Sequence, residues 1–554
     1  MSKILSREEI EHLISVGRIV VIYDSQVLDL KSWIDRHPGG DKAVHHMIGK
    51  DATDEMNAYH SPETIATFRR WRIGSIDYLW ENMIPPIQGG VFRSLENKEK
   101  DTKKASSAPK ELSGKMPDHV KPRIPAGTIP SKKNEAELFP VIDSAIRDPK
   151  AVIENYDNRM VRLDLESVPP LDYATQTRIS QHYRELHKKV VEGGYYQCRY
   201  IEYFKEFCRC GSLLLYFLVF LKTNHLWLSA FCLGCAWQQL PFIVHDAGHI
   251  AITHNYHVDN IIGALISDFI GGLSIGWWKR NHNVHHLITN DPVHDPDIQH
   301  LPFFAVSSRL LGSVYSTYYE NTLWFDAFAK TFVRFQRYTY YLILSFGRFN
   351  LYRLSWIHLI LGQGPKKGKA AYLRYLELTG LCFFFYWFFY LVITKRLTNW
   401  SDRLIFLMIS HVTTMVVHVQ ITLSHFGMST SDLGPSESFA ARQLRTTMDV
   451  DCPEWFDYFH GGLQFQAIHH LFPRLPRHNF RRVQPLVIDF CNATGLKYSI
   501  YGFMDGNGVV LDKMGDVGKQ VKIIKDCLKG MKMEAEENVN LYEKRLESID
   551  ELKT

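Results

Sequence analysis

A chain of 554 residues, with 45% hydrophobic and 13% aromatic side chains, is long enough for several domains and apolar enough for membrane helices. Its mean hydropathy of -0.17 requires such helices to be a minority among polar regions. The net charge of +5 gives no case for nucleic-acid binding and suits a protein beside the cytoplasmic face of an anionic membrane.

The cysteines and the first residues indicate the compartment. Among nine cysteines only Cys232 and Cys235 form a CxxC pair, which lies in an apolar run without a second pair to complete a zinc site. We therefore expect reduced thiols in a protein that faces the cytosol. The N-terminal sequence MSKILSREEIEHL has no apolar segment typical of a signal peptide, so we expect no cleaved signal.

Residues 1–82 have the pattern of a small α+β domain. Ser6 and Glu9 have the spacing of a capping box, which predicts a short helix, and GRIVVIY predicts a buried strand. The stretch DLKSWIDRHPGGDKAV follows, and its Pro-Gly-Gly turn lets the backbone fold sharply just after His37. His37 and His60 lie on separate predicted elements and could bind one haem iron from opposite faces.

Residues 4–80 resemble a cytochrome b5 domain. In that family the HPGG motif carries one axial histidine and a short helix carries the second, and His37 and His60 are the matching positions. The resemblance implies that these two histidines bind haem b. Acidic residues close to His60 would give the haem edge a negative face; they are Asp51, Asp54 and Glu55.

The next segment, residues 96–138, is rich in Lys, Pro and Ser and poor in aromatic side chains. Because such a segment cannot bury enough apolar surface to fold, we predict a flexible linker. About forty residues have a root-mean-square reach of about 35 Å, enough for a small electron-carrying domain to dock and leave.

Two apolar hairpins are predicted to cross the membrane. Residues 203–244 are about twice as long as the roughly 20 residues that one spanning helix needs, and a polar break lies near their middle. Residues 376–394 and 404–423 form the second hairpin around a short polar turn. Two weaker apolar segments, residues 260–278 and 338–361, contain glycine or charged side chains and predict interfacial or re-entrant structure.

Three clusters of metal-binding side chains adjoin these hairpins. Spacings of i, i+4 or of i, i+3, i+4 put the members of each cluster on one face of a helix. The clusters are His245 and His249; His282, His285 and His286; and Gln466, His469 and His470. Converging imidazoles suit a transition metal, so we predict a shared metal site. Scattered surface histidines are the alternative, since the chain contains 26 histidines.

All three clusters should lie on one face of the membrane, because an even number of crossings separates them. Lys366, Lys367, Lys369 and Arg374 flank that face before the second hairpin, against Lys222, Lys395 and Arg396, which weaken the bias. This bias favours a cytosolic position for the clusters. We therefore expect the haem domain and the clusters in the same compartment.

The motifs HDAGH, HNVHH and QAIHH, in this order around two hydrophobic hairpins, resemble the three histidine boxes of membrane fatty-acid and sphingolipid desaturases. The fused haem domain and Gln466 are similar to the front-end subfamily, and the overall likeness is greatest to fungal sphingolipid 8-desaturases. The resemblance implies a multidomain protein in which an all-α polytopic membrane domain with a cytosolic di-iron cap, residues 200–480, follows the haem domain. Residues 481–554 would form a cytosolic C-terminal region.

The same resemblance implies two non-haem irons that activate O2 to remove two hydrogens from a hydrocarbon chain. The expected metal ligands and catalytic residues are His245, His249, His282, His285, His286, His469 and His470. His425 resembles an additional ligand, with a polar helix-end histidine as the alternative. Gln466 could bind metal directly or through water. Asp246 and Asp297 could orient ligating imidazoles.

Electrons are expected from NADH through a separate cytochrome b5 reductase, because no GxGxxG motif follows a predicted strand. We expect a multi-pass protein of the endoplasmic reticulum membrane with no nucleic-acid partner. Basic residues near the boxes could receive the acidic face of the haem domain; they are Lys279, Arg280, Arg442 and Arg445.

Three functions follow from these patterns. The first is formation of a double bond at the 8-position of the long-chain base of a ceramide or related sphingolipid. The second is a front-end acyl desaturase of the 5- or 6-type, acting on phospholipid-linked or CoA-linked fatty acids. The third, of a different class, is a membrane haem protein that only carries electrons or binds sterols, with the histidines as metal storage.

Overall fold

The computed structural model describes residues 3–90, 149–368 and 370–551, and the predicted linker lies outside them. The N-terminal unit, residues 3–90, contains an antiparallel sheet in the order β1-β2-β3. Its elements are α1 (Arg7–Ser15), β1 (Val20–Tyr23), β2 (Gln26–Asp29), α2 (Asp41–His45), α3 (Thr53–Tyr59), α4 (Pro62–Ile65) and β3 (Arg72–Ser75). The predicted capping box begins α1, since Ser6 Oγ accepts from the Glu9 N–H at 3.2 Å and the Glu9 carboxylate accepts from the Ser6 N–H at 2.9 Å.

The remaining described residues form a mainly helical body. Its helices are α5 (Pro149–Ser167), α6 (Tyr173–Glu192), α7 (Tyr200–Lys222), α8 (Leu226–Gly248), α9 (Tyr256–Ala264), α10 (Ile275–Leu287), α11 (Ala327–Leu344), α12 (Gly347–Leu361), α13 (Leu373–Phe384), α14 (Trp400–Val412), α15 (Met415–Phe426), α16 (Phe439–Thr446), α17 (Asp457–His460), α18 (Gln466–Leu471), α19 (Phe480–Thr494) and α20 (Phe503–Glu551). Wider π-helical turns continue α9 over Leu265–Gly271 and α13 over Phe385–Arg396. Short strands complete the body: β4 (Val314–Ser316), β5 (Asn321–Leu323), β6 (Asp449–Asp451) and β7 (Ile500–Gly502).

Three helices of the described chain are long and apolar enough to cross a membrane: Leu226–Gly248, Leu373–Arg396 and Trp400–Phe426. The last two form the second predicted hairpin. In the first predicted hairpin, α7 packs against α8 but is not among these helices, because its first turns carry charged side chains such as Glu202 and Lys205. Tyr256–Gly271 and Ile275–Leu287 form a pair bent by 114°, which is either a broken span or a re-entrant loop.

Residues beyond 480 belong to the same body as the histidine clusters. Helix α19 packs against α6 and α18 around a core that includes Tyr183, Phe472 and Val487. The first half of α20 packs against α11 and α15 and buries Val510 and Met514. From residue 531 to residue 545 the side chains of α20 are largely exposed.

The N-terminal unit packs directly against the helical body. Ile288, just after α10, is fully buried in the hydrophobic core of the N-terminal unit with Val44 and Met47. In the opposite sense, Ala58 of α3 is fully buried in the core of the body, in the same cluster as Ile468. Each unit therefore contributes a side chain to the core of the other.

Candidate metal centre

His37 and His60 face each other across a gap in the N-terminal unit. Their ring centroids are 6.3 Å apart. The Nδ1 atom of each ring donates to a backbone carbonyl, His37 to Gly40 at 2.7 Å and His60 to Met56 at 2.9 Å. These bonds fix the tautomer and leave each Nε2 free. Burial lowers the pKa of both imidazoles, that of His60 to about 4, so both are neutral at physiological pH, as metal binding requires. The pair fits the two axial ligands of one haem iron.

The two glycines after His37 are required, Gly39 by close contacts and Gly40 by its backbone conformation. A Cβ atom on Gly39 would lie 3.0 Å from His37 Cε1 and 3.1 Å from Asn283 Nδ2. Gly40 has a φ of +92°, a conformation that other residues rarely adopt. The turn thus places the His37 ring and at the same time lets the helical body approach.

In the helical body, seven histidines form two adjacent groups, and an eighth lies between them. The ring nitrogens available for binding lie within 4.8 Å of one another in each group. The first group is His245, His249, His282 and His469, and the second is His285, His425 and His470. His286 lies between them: its Nε2 is 2.9 Å from His282 Nε2, and its ring centroid is 4.0 Å from that of His470.

The geometry of helix ends explains this convergence. His245 and His249 occupy the last turn and the C-cap of α8, and His425 occupies the last turn of α15. His285 and His286 lie in the last turn of α10 and His282 one turn earlier, and His469 and His470 lie in the short helix α18. The Asp449 carboxylate accepts from the Ala467 N–H at 2.7 Å and so holds the first turn of α18. Elements that are distant in sequence thus end at one point.

The unpaired nitrogens of this cluster fit bound metal. Buried polar atoms normally have a hydrogen-bond partner. Seven nitrogens of the cluster are buried without one among the described residues: His245 Nε2, His249 Nε2, His286 Nδ1, His425 Nδ1, His469 Nδ1, His469 Nε2 and His470 Nε2. Burial and neighbouring imidazoles keep the pKa of His469 and His470 well below the usual value, so both are neutral. Neutral, unpaired and converging imidazoles are suitable ligands for iron.

Side chains behind the histidines orient the rings. His285 Nδ1 donates to Asp295 Oδ2 at 2.8 Å, and His470 Nδ1 donates to Gln443 Oε1 at 2.8 Å. Of the predicted orienting residues, Asp297 lies 3.5 Å from His282 Nδ1. Asp246 lies 3.8 Å from His245 Nδ1 and bonds mainly to Arg477 and Tyr203. Sequence reasoning missed Asp295 and Gln443, although the DPVHDP stretch after the second box offered Asp295 as a candidate.

Gln466 is the first residue of α18, and its Oε1 atom is buried without a hydrogen-bond partner among the described residues.

Several histidines outside the boxes have other partners. His254 bonds to the carbonyls of Tyr196 and Ile250, and His294 bonds to Thr317. These two histidines belong to neither metal-binding group.

The contact with the N-terminal unit differs from the predicted one. Asp54 pairs with Arg184 at 2.6 Å, and Asp41 pairs with Arg280 at 3.3 Å. The prediction that Arg445 receives the acidic face is wrong, because Arg445 is buried against Glu437 at 2.7 Å. Lys279 is also buried and donates to Asn260 at 3.0 Å. Of the four predicted basic residues, Arg280 forms an ion pair with the N-terminal unit.

Comparisons with known proteins define the class. The fatty acid desaturase family model matches residues 223–502, and the cytochrome b5-like heme/steroid binding domain matches residues 6–85. The chain belongs to the fatty acid desaturase family and carries an N-terminal cytochrome b5-like domain. It is therefore an oxidoreductase and an integral membrane protein; the first domain implies haem, and the desaturase family implies iron.

Two relatives that match almost the whole chain carry the same name. The chain is 60% identical to the Delta 8-(E)-sphingolipid desaturase of Komagataella phaffii, over 99% of both chains. It is 57% identical to the Delta 8-(E)-sphingolipid desaturase of Lachancea kluyveri, over 97% of both. The acyl-lipid (9-3)-desaturase of Borago officinalis is 35% identical over 64% of this chain and 78% of its own length.

Proposed function

We propose that this protein forms the Delta 8-(E) double bond in the sphingoid long-chain base of a ceramide or related sphingolipid. The convergence of eight histidines near the ends of helices, six of them buried and His245 and His282 partly buried, supports an oxidation of a lipid chain. The likeness to sphingolipid desaturases over nearly the whole chain supports the long-chain base as substrate. The acyl-lipid relative is less similar and matches a smaller part of the chain, so we place the acyl reaction second.

We propose two iron positions. The first group of histidines (His245, His249, His282 and His469) would hold one iron, and the second group (His285, His425 and His470) would hold the other. His286 is available to either position, and Gln466 is a further candidate ligand. Irons bound there would supply the oxidising power to break C–H bonds through O2. Asp295 and Gln443 hold two of the rings in place, and the burial of the cluster keeps bulk water out.

The reaction requires an external source of electrons. Removal of two hydrogens from the lipid and reduction of O2 to two waters balances only when two electrons and two protons are added. We propose NADH as their source and cytochrome b5 reductase as the partner protein. The haem held by His37 and His60 would be the last carrier before the histidine cluster.

We propose the endoplasmic reticulum membrane as the location, with the haem domain and the histidine cluster on the cytosolic side. The C-terminal ends of α8 and α15 reach the cluster on the side where the N-terminal unit packs. Lys366, Lys367 and Arg374 flank this side, which agrees with the excess of positive charge on cytosolic faces.

A lipid profile tests the proposal. The protein would be expressed in a host without its own sphingolipid desaturase, and long-chain bases and fatty acids would be analysed by mass spectrometry. We expect a new double bond in the long-chain base, and we expect His286→Ala to abolish it. His182→Ala is the matched control, because the His182 side chain is 38% exposed and lies outside both groups.

Each alternative result would change the conclusion. New unsaturation only in fatty acyl chains would favour the acyl reaction. No unsaturation in either pool, in a protein that contains haem and iron, would favour hydroxylation or electron carriage. Full activity of the His286→Ala protein would contradict the proposed metal site.

A further inference from the structure

Three consecutive residues at the end of α3 connect the two redox sites. Ala58 is buried in the core of the helical body with Ile468 and Leu471 of α18. Tyr59 places its ring edge-on against the ring of His286, with centroids 6.0 Å apart and an interplanar angle of 89°. His60 is one of the two candidate axial ligands of the haem. The chain therefore passes from the metal centre to the haem within one helical turn.

Tyr59 also packs against the hydrophobic core of the helical body, as its neighbour Ala58 does. Its hydroxyl is buried without a hydrogen-bond partner among the described residues. A buried unsatisfied hydroxyl is unfavourable, so the hydroxyl does not explain the presence of this side chain. The aromatic ring, by contrast, packs against that core and edge-on against the imidazole of His286.

We propose that the ring of Tyr59 is the contact through which electrons pass from the haem to the histidine cluster. Electron transfer is faster through bonded or packed atoms than across a gap of the same length. Each transfer moves one electron, so the haem iron is oxidised from ferrous to ferric as one ferric ion of the cluster becomes ferrous, and no bond is made or broken. This inference rests on the proposed function.

A second connection serves as the matched comparison. The Asn283 side chain donates to the Gly39 carbonyl at 3.1 Å, and Asn283 follows the candidate ligand His282 in sequence. This route from the HPGG turn to the cluster depends on one hydrogen bond and several further covalent bonds. Both routes include covalent bonds, but the Tyr59 ring contacts the imidazole of a cluster histidine directly, whereas Asn283 reaches the cluster only through the backbone of its neighbour His282, so we expect the Tyr59 route to dominate.

The test follows the absorption of the haem and not the lipid product. The full-length protein with haem and iron would be reduced without oxygen and then mixed with O2, and oxidation of the haem would be recorded in a stopped-flow instrument. Iron-depleted protein gives the background rate of direct haem oxidation. The variants are Tyr59→Phe, which keeps the ring, Tyr59→Leu, which removes it, and Asn283→Leu, which removes the other route.

We expect Tyr59→Leu to slow iron-dependent haem oxidation by about tenfold or more, while Tyr59→Phe and Asn283→Leu retain the wild-type rate. The haem midpoint potential and the rate of haem reduction by cytochrome b5 reductase should be unchanged in all three variants. A merely structural role would alter haem content or potential and not this rate alone.

Other outcomes overturn the proposal. A wild-type rate in Tyr59→Leu would exclude the ring, and a slow Tyr59→Phe would assign the effect to the hydroxyl. A loss only in Asn283→Leu would assign the transfer to the other route. If Tyr59→Leu and also Tyr59→Met lose haem while Tyr59→Phe keeps it, Tyr59 is a structural residue of the haem pocket. Absence of any iron-dependent haem oxidation in the wild-type protein would instead contradict the proposed function.

Discussion

At the scale of single residues, the metal centre depends on partners of the ring nitrogens that point away from the cluster. A carboxylate on the far nitrogen of a ligating histidine fixes its tautomer and raises its basicity. The pair of His285 Nδ1 and Asp295, at 2.8 Å, has this geometry and is fully buried. The spacing of the boxes predicts which rings converge, but it contains no information about these partners. Gln443 lies 27 residues before His470 and belongs to no motif.

We expect Asp295→Asn to lower the iron content of the purified protein. The asparagine keeps the size of the side chain but removes the charge, and loss of such a partner lowers metal affinity by about 10–100-fold. The measurement is the ratio of iron to haem, because haem binding depends on the N-terminal unit. Asp291→Asn is the control in the same loop, since Asp291 bonds to the N–H groups of Val293 and His294. Equal ratios in the two variants would refute the role of Asp295.

At the scale of elements, buried ion pairs hold together helices that the sequence shows only separately. Hydropathy and histidine spacing predict helices close to α7, α8 and α18, because both depend on neighbouring residues. Arg477, after the third box, contacts Asp246 in α8 and Glu206 in α7, and it donates to the Phe242 carbonyl at 2.9 Å. These contacts span more than 200 residues of sequence, so no local pattern predicts them.

We expect Arg477→Met to destabilise the protein by about 3–5 kcal/mol, because it leaves two buried carboxylates without their partner. Thermal unfolding in detergent micelles measures the effect. Arg481→Met is the matched control: Arg481 pairs with Asp457 at 2.6 Å, but both side chains are about one-third exposed. Such an exposed pair contributes at most about 1 kcal/mol. The same loss of stability in both variants would show that the buried network at Arg477 has no special role.

At the scale of the whole molecule, the two kinds of domain could be identified from local motifs, whereas their contact could not. HPGG and the three boxes are short and self-contained. The contact depends on which charged residues remain free after folding. Arg445 has the right charge and lies close to the boxes, but the buried Glu437 carboxylate pairs with it, and Arg184 on α6 contacts the acidic face instead. Sequence alone does not give this competition between partners.

The contact between Arg184 and Asp54 gives a prediction for the entire assembly. Arg184→Glu places a carboxylate against Asp54 and should shift the haem domain toward the undocked state, which slows iron-dependent oxidation of the haem. Because the Arg184 side chain is 44% exposed, the pair contributes at most about 1 kcal/mol, and we expect about a fivefold slower rate at low salt. The difference should shrink as ionic strength rises, since salt screens exposed charges.

Exchanging the two charges distinguishes an effect on docking of the haem domain from structural damage to α6. The double variant Arg184→Glu with Asp54→Arg restores an attractive pair and should recover most of the wild-type rate at low salt. Arg178→Glu makes the same change of charge on an exposed position of the same helix and should have little effect. A loss that is as large in Arg178→Glu would indicate a general effect of negative charge on α6. A loss that the exchange does not recover would mean that this ion pair does not hold the haem domain in the position from which it delivers electrons.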